Sequence, residues 1–256
     1  MKERVVSELR TLEGQLDVRV LLAVESGSRA WGFASLDSDY DVRFVYVHAR
    51  DWYLSVHESR DVIEQMLPGD LDLGGWELRK TLRLFEKCNL TLNEWIGSPI
   101  VYGREVRFHE RIAELLPRFF NPIAGLHHYR RMAHSALEEN FDAGRIGIKK
   151  LFYVLRPLLA CRWILNTRSQ PPTEFARLVD AAWVTAEEKA WIADLLRQKV
   201  VAVEAQPIAL APARVVSLRE EIAAHEAAVS TLRVPERNSA SDLDALLRGW
   251  VLRSFD

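Results

Sequence analysis

Two aspartates, Asp39 and Asp41, stand at the start of an apolar segment that runs from Val42 to Val47. This segment is typical of a β-strand, and strand side chains two residues apart project from the same face. Two carboxylates held that close repel each other unless a cation lies between them. Mg²⁺ is usually bound by one or two carboxylates together with substrate phosphates. The aspartate pair therefore indicates a divalent-cation site for phosphate chemistry.

A glycine–serine pair, Gly27-Ser28, precedes the aspartates and follows a second apolar segment, Val20–Val24, that predicts a buried strand. Glycine permits close backbone approach, and free amides with a serine hydroxyl can donate to a phosphate. Arg29 follows directly, and its guanidinium suits a phosphate oxygen, although an ordinary surface arginine is the alternative. The segment predicts a phosphate-binding turn beside the cation site; the alternative is a solvated hairpin.

The spacing from Gly27-Ser28 to Asp39 and Asp41 resembles the signature of the DNA polymerase beta nucleotidyltransferase superfamily. Further segments resemble one branch of it, the RNA-repair-pathway polymerase-beta family, in the right order over most of residues 23–175. Asn89-Leu90-Thr91 stands where the resemblance predicts Asn-Pro-Thr, a departure that puts no chemistry in doubt. The resembling segments are ESGSRAWGF, DSDYDVRFVYV, RDVIE, DLDLGGWELRKTLRLFEKCN, NEWIGSPIVY, KKLFYVLRPLLACRWI and PPTEF.

The resemblance implies transfer of a nucleoside monophosphate from an NTP to an acceptor, assisted by two Mg²⁺ or Mn²⁺ ions, with release of pyrophosphate. Asp39 and Asp41 would hold the metals. A third carboxylate on a neighbouring strand would complete the metal site and activate the acceptor hydroxyl. Asp72, between Leu71 and Leu73, fits that role, and Glu64 is the alternative. The other acids nearby are interpreted as a strand start and a turn residue: Asp61 and Asp70.

The fold predicted from these patterns is α+β. A catalytic domain over 1–118, with a mixed sheet and helices, is followed by an all-helical domain over 119–256. Apolar periodicity predicts strands over 19–24, 41–48, 61–67 and 71–73, and helices over 3–13, 76–87 and 92–96. Beyond Pro117 it predicts helices over 123–142, 146–166, 173–180, 186–203, 214–232 and 239–253, with a loop over 234–238.

A basic segment follows the catalytic domain, because residues 119–170 carry eight Lys and Arg against three Asp and Glu. A helix from about Ile146 places Arg145, Lys149, Tyr153 and Arg156 on one face, with Lys150 about 100° further round. We expect this face to bind triphosphate or RNA; a solvated face is the alternative. The predicted nucleotide-binding residues are Gly27, Ser28, Arg29, Lys149, Lys150, Tyr153 and Arg156.

Composition narrows the class of protein. The net charge of −2 gives no general case for nucleic-acid binding, and no apolar run is long enough to predict a membrane span. Cys88 and Cys161, far apart, are interpreted as buried thiols in a reducing cytoplasm. A charged start argues against a signal peptide. The histidines His127, His128 and His134 lack the further ligands that a zinc site requires.

The leading hypothesis is a cytoplasmic enzyme that transfers a nucleoside monophosphate from an NTP to an RNA end. A second hypothesis keeps the chemistry with a protein or small molecule as acceptor. A third is a catalytically silent nucleotide- or RNA-binding module. The acceptor, the base of the NTP and the oligomeric state, a homodimer included, stay open.

Overall fold

The computed structural model describes residues 1–35, 38–201, 207–233 and 240–253, without the side chains of Val200 and Val201. Its strands are β1 Val18–Glu25, β2 Tyr40–His48, β3 Val62–Leu67, β4 Leu71–Glu77, β5 Val101–Arg104, β6 Phe141–Asp142, β7 Arg145–Gly147 and β8 Pro207–Ala209. Its helices are α1 Lys2–Leu16, α2 Gly27–Trp31, α3 Arg50–Tyr53, α4 Leu78–Glu86, α5 Leu90–Ile96, α6 Val106–Phe119, α7 Pro122–Asn140, α8 Ile148–Thr167, α9 Phe175–Val179, α10 Ala186–Val201, α11 Pro212–Ala228 and α12 Ser241–Val251.

The chain forms two compact units. Unit 1 consists of Met1–Phe119 together with α12, and unit 2 consists of the described residues between 120 and 233. Unit 1 contains the five-stranded mixed sheet and the predicted carboxylates, so it is the unit that positions the candidate chemistry.

The sheet of unit 1 has the strand order β3-β4-β2-β1-β5. β2 and β4 are parallel, whereas the other neighbouring pairs are antiparallel. In the parallel pair, Tyr40 lies opposite Leu71 and Asp41 lies opposite Asp72. The starts of β2 and β4 therefore lie side by side, which brings together two acids that are far apart in the sequence.

Apolar side chains cover both faces of this sheet, so β2 alternates between two cores rather than between core and solvent. On one face, Val42 and Phe44 pack with α1. On the other face, Val45 and Val47 pack with α4, α5, α6 and α12. These layers hold the two central strands in place and leave only their ends accessible for chemistry.

Unit 2 is mainly helical. Its longest helix, α8, has twelve buried residues distributed around its circumference, as expected for a helix at the centre of a bundle. A small antiparallel sheet of β6, β7 and β8 is also present. Within the described ranges, no helix combines the length and the apolar character needed to cross a bilayer.

The α+β class and the mixed sheet are confirmed, and the predicted strands and helices occur within a few residues of their expected bounds. The sequence patterns predict no element at α3, β5 or α6, and they miss the three short strands of unit 2. Strands of two to four residues show no resolvable periodicity, which explains their omission. The predicted loop over 234–238 lies outside the described residues.

The C-terminal helix α12 belongs to unit 1, whereas the domain boundaries predicted from the sequence placed it in the helical domain over 119–256. Its Leu243 and Leu246 are buried in the core of unit 1 together with Leu82 and Phe108. An amphipathic helix shows in its sequence that one face is buried, but not which core buries it.

Candidate active site

Asp41 and Asp72 lie beside each other at the starts of β2 and β4, with one guanidinium between them. Because they are register partners, their side chains project from the same face of strands about 4.8 Å apart. Nη2 of Arg43 lies 3.1 Å from Oδ1 of Asp41 and 2.7 Å from Oδ2 of Asp72. About one third of each carboxylate side chain is exposed, 34% and 32%. The guanidinium supplies the positive charge that adjacent carboxylates require.

The local sequence makes room for this arginine. Arg43 follows Asp41 by two residues and so projects from the same face of β2. Its register partner on β4 is Gly74, where a β-carbon would come within 3.2 Å of both Cδ and Nη1 of Arg43. A β-carbon on the next residue, Gly75, would overlap the ring of Phe44. The two glycines after Asp72 therefore let β4 approach the side chains of β2 closely.

Gly27 lies directly against Asp41. It has a φ of +61°, which favours glycine, and a β-carbon there would lie 2.5 Å from Oδ2 of Asp41. The backbone N–H of Ser26 donates to the carbonyl of Asp41 at 2.8 Å. The segment expected as a simple turn forms one helical turn, α2, in which Ser28 is buried. The glycine and the second aspartate of the motif thus form one contact.

Glu25, at the end of β1, holds the backbone of Asp41. Its carboxylate accepts a hydrogen bond from the Asp41 N–H at 2.9 Å and another from the hydroxyl of Tyr102. Burial raises the pKa of Glu25 above its ordinary value, and the two hydrogen bonds oppose this shift only in part. Ser98 donates to the Glu25 carbonyl at 2.6 Å. Glu25 and Tyr102 are therefore positioning residues for Asp41.

Arg29 contacts the segment that leads into β2. Its Nε donates to the carbonyl of Asp39 at 3.0 Å and its Nη2 to the carbonyl of Ser38 at 2.6 Å. The guanidinium carbon also lies 3.7 Å from the centroid of the Tyr40 ring. In this structure Arg29 thus fixes the backbone beside the aspartates.

Asp39 lies one residue before β2, so strand alternation does not place its carboxylate beside that of Asp41 as expected. Asp39 is exposed, and its carboxylate has no ion pair or hydrogen bond with any described residue. Within the described part of the chain, no three His, Cys, Asp or Glu side chains are arranged to hold a metal ion. The structure brings together Asp41 and Asp72 but does not cluster Asp39 with them.

Glu64, the alternative third carboxylate, lies on the edge strand β3. Its side chain is 71% exposed and lies 2.7 Å from Nη2 of Arg60. Asp70 is in the turn between β3 and β4, with a φ of +55°, and Asp61 accepts from Nζ of Lys80 at 2.9 Å. Of these acids, Asp72 is the one that shares a cation with Asp41.

The basic face predicted around α8 is only partly present. The helix begins at Ile148, so Arg145 lies in β7 and not on the helix. Arg156 is only 1% exposed and donates to the carbonyl of Thr173 at 3.3 Å, so it belongs to the interior of unit 2. Lys150 is exposed, with its Nζ 5.9 Å from the centroid of the Tyr153 ring, and Lys149 is half-buried. The expected single helical row of cations is therefore wrong, because Arg145 is exposed but lies outside the helix and Arg156 is buried.

The functional residues that sequence reasoning missed are Arg43 and Tyr102. Arg43 occupies the position two residues after Asp41, and that spacing alone could have placed it on the same strand face. Tyr102 lies 77 residues from Glu25 in sequence, on a strand that was not predicted. Only the pairing of β1 with β5 brings those two residues together.

The sequence places the chain among the DNA polymerase beta-like proteins. Residues 1–249 match the RNA repair pathway DNA polymerase beta family, and the chain belongs to that family. The uncharacterized protein YcgL of Bacillus subtilis (strain 168) is 41% identical over 251 residues, which cover 98% of this chain and 96% of that protein. The crystal structure of a nucleotidyltransferase-like protein from Exiguobacterium sibiricum 255-15 matches 97% of this chain and 76% of its own, at 14% identity and a TM-score of 0.32.

Proposed function

We propose that the protein transfers a nucleoside monophosphate from an NTP to a hydroxyl acceptor at an RNA end and releases pyrophosphate. The observation that carries this proposal is the pair Asp41 and Asp72, held side by side with Gly27 against one of them. The chain belongs to a family whose description refers to an RNA repair pathway, and this favours RNA as the acceptor.

The carboxylate pair has the chemistry of a Mg²⁺ or Mn²⁺ site. Its oxygens are partly exposed and already share one cationic group, Arg43. Mg²⁺ prefers oxygen ligands and is held by one or two carboxylates plus substrate phosphates. We propose that Asp41 and Asp72 hold the metal ions and that the exposed Asp39 joins them. When bound, such ions would neutralise phosphate oxygens of the NTP.

We assign the remaining requirements of the reaction to residues of unit 1. The acceptor oxygen forms a bond to the α-phosphorus while the bond from that phosphorus to the oxygen bridging to the β-phosphate breaks. The hydroxyl proton passes to a carboxylate, and Asp72 is the proposed acceptor. The bare Cα of Gly27 makes room for the Asp41 carboxylate, and we propose that the backbone of Gly27 and Ser28 contacts the phosphates beside that carboxylate. Glu25 and Arg29 orient the backbone around the aspartates.

The test is incubation with each of the four α-labelled NTPs, Mg²⁺ or Mn²⁺, and RNAs that end in a hydroxyl or a phosphate. The expected result is label transferred to one class of RNA end with equimolar pyrophosphate. The Asp41→Asn variant, which removes a proposed metal ligand, is the inactive control, and Asp39→Asn is expected to behave in the same way.

Other outcomes of the same assay identify the alternatives. Label on the protein itself or on a small hydroxyl compound, with pyrophosphate released, would retain the chemistry and replace the acceptor. NTP binding without pyrophosphate release under any condition would contradict the proposal and leave a nucleotide-binding module.

A further inference from the structure

Unit 1 has a cavity of about 620 Å³ whose lining does not include the carboxylates of the candidate active site. It is formed by α6, α12 and residues near the ends of β1 and β5. The volume is within the range of about 300–1,000 Å³ that is common for ligand pockets. Its lining includes five arginines and one tryptophan: Arg19, Arg104, Arg107, Arg111, Arg253 and Trp250.

Two of these arginines are neutralised within the protein. Arg19 lies 2.6 Å from Oε1 of Glu105, and Arg111 pairs with both Glu114 and Asp242. The other three, Arg104, Arg107 and Arg253, have no carboxylate partner among the described residues; the contact of Arg104 is with Nδ1 of His109, at 3.5 Å. Counting only residues that the structure describes, the cavity therefore has about three positive charges without a paired carboxylate, which favours an anionic ligand.

The cavity is separate from the candidate active site. Arg19 lies opposite Val47, close to the C-terminal end of β2. Asp41 lies six residues before Val47, at the N-terminal end of the same strand. At about 3.3 Å per residue, the two positions are about 20 Å apart. Arg104 lies opposite Leu22, whose partner on β2 is Val45, four residues after Asp41, so the cavity is centred away from the carboxylate pair.

The cavity also contains an aromatic surface. The Trp250 ring packs edge-on against Phe108, with centroids 6.0 Å apart, and the guanidinium carbon of Arg19 lies 5.9 Å from its centroid. Arginine binds phosphate through bidentate hydrogen bonds, and tryptophan stacks on nucleobases. Cations and an indole in one cavity match the two parts of a nucleotide.

We propose that this cavity is a second nucleotide-binding site, which takes phosphate on Arg104, Arg107 and Arg253 and a base against Trp250. The nucleotide unit can come from a free NTP or from a single-stranded RNA. The inference goes beyond the proposed function and depends on binding alone, so it can fail or hold whether or not the enzyme transfers nucleotides.

The test uses Arg107→Glu in the full-length protein. Arg107 is in the first turn of α6, where a negative side chain is compatible with the helix dipole, so the variant is expected to fold. The matched control is Arg83→Glu, because Arg83 is also an exposed helix residue of unit 1 without a carboxylate partner in the described ranges, and it does not line the cavity. Arg253→Glu tests a second proposed phosphate-binding arginine, and Trp250→Phe tests the indole ring on which the base is proposed to stack.

Binding of a fluorescein-labelled single-stranded 12-mer RNA is measured by anisotropy at several salt concentrations, without divalent cations. ATP binding is measured by calorimetry in the Asp41→Asn/Asp72→Asn background. We expect Arg107→Glu to weaken the binding of at least one of these probes about tenfold or more, because it removes a charge-assisted hydrogen bond. For RNA, the salt slope should become less steep by about 0.7 for each phosphate that the variant no longer neutralises.

The two probes distinguish the sources of the nucleotide. An effect on RNA alone assigns the cavity to a strand, and an effect on ATP assigns it to free nucleotide as well; both support the inference. Equal affinities of wild type, Arg107→Glu and Arg253→Glu for both probes would overturn it. So would a loss in Arg83→Glu as large as that in Arg107→Glu, because the effect would then reflect overall charge.

Discussion

A β-carbon on Gly27 would lie 2.5 Å from Oδ2 of Asp41, so these two residues can coexist in this arrangement only because one of them is glycine. The contact joins the end of β1 to the start of β2. Glu25 strengthens the same junction by accepting a hydrogen bond from the Asp41 N–H. The position of the proposed metal ligand is therefore set by the residues just before and within the glycine–serine segment.

Gly27→Ala is expected to abolish nucleotidyl transfer, because the added methyl displaces the Asp41 carboxylate. Gly32→Ala is the matched control: Gly32 also has a positive φ, +87°, but nothing lies within 4 Å of its β-carbon position. Both variants should lose about 1–2 kcal/mol of unfolding free energy from the left-handed backbone. Activity and denaturant unfolding measured together separate the two effects. Equal activities of the two variants would show that the contact with Asp41 is unimportant.

Asp72→Asn should lower the rate of transfer by about 10²–10⁴, the usual contribution of a general base. Glu64→Gln is the matched acid on the neighbouring strand and should retain the wild-type rate, because Glu64 is exposed and paired with Arg60. The transfer rates of both variants are measured in single-turnover reactions with labelled NTP. The reverse order of effects would move the third carboxylate to Glu64.

Arg43→Ala leaves two adjacent carboxylates without a shared cation, so the variant should melt at a lower temperature than wild type in the absence of metal. Added Mg²⁺ should raise the Tm of this variant by more than it raises the Tm of wild type. Each kcal/mol of unfolding free energy that Mg²⁺ restores corresponds to about 2–4 °C. Differential scanning calorimetry with and without Mg²⁺ provides the comparison. In the Arg43→Ala/Asp72→Asn variant the additional Mg²⁺ response should disappear. An identical Mg²⁺ response of wild type and Arg43→Ala would contradict a metal site at this pair.

Glu25 should give the unfolding free energy a distinct pH dependence. Burial raises the pKa of Glu25 in the folded protein, and the hydrogen bonds from Tyr102 and from the Asp41 N–H oppose this shift only in part; the charge of Asp41 raises the pKa further and that of Arg29 lowers it. A raised pKa in the folded state favours folding below the unfolded pKa, and this stabilisation is lost as pH rises through the folded pKa. The unfolding free energy of wild type minus that of Glu25→Gln should therefore fall as pH rises from about 4 and then level off. A difference that increases with pH would show that the folded state favours the ionised carboxylate.

The predicted phosphate-binding cations of α8 should separate into two classes. Lys150→Ala and Lys149→Ala are expected to raise the KM for NTP with little effect on Tm, because Lys150 is exposed and Lys149 half-buried. Arg156→Ala should instead lower the Tm, because its buried side chain donates to the Thr173 carbonyl. Steady-state kinetics and thermal melts of the three variants test this division. Unchanged KM values for both lysine variants would make this part of α8 a solvated face.

The sequence by itself determined the local elements of the site. Gly27, Asp39 and Asp41 stand out because their spacing resembles the superfamily signature, and Asp72 because it fits the strand pattern that this resemblance implies. Strand periodicity by itself predicts only that two aspartates lie at the start of β2. The α+β class follows from the same periodicity. Each of these inferences concerns residues that are close together in the chain.

Tertiary structure alone decided which of these residues meet. The bridge from Arg43 to Asp72 exists because β2 and β4 pair in parallel with Asp41 opposite Asp72, and the contact of Glu25 with Tyr102 exists because β5 pairs with β1. Likewise, the sequence of α12 is compatible with packing against the core of either unit, and the tertiary structure buries its Leu243 in unit 1. Pairing partners, register and helix docking are set by burial summed over many distant residues, and the periodicity of one segment carries no information about its partner.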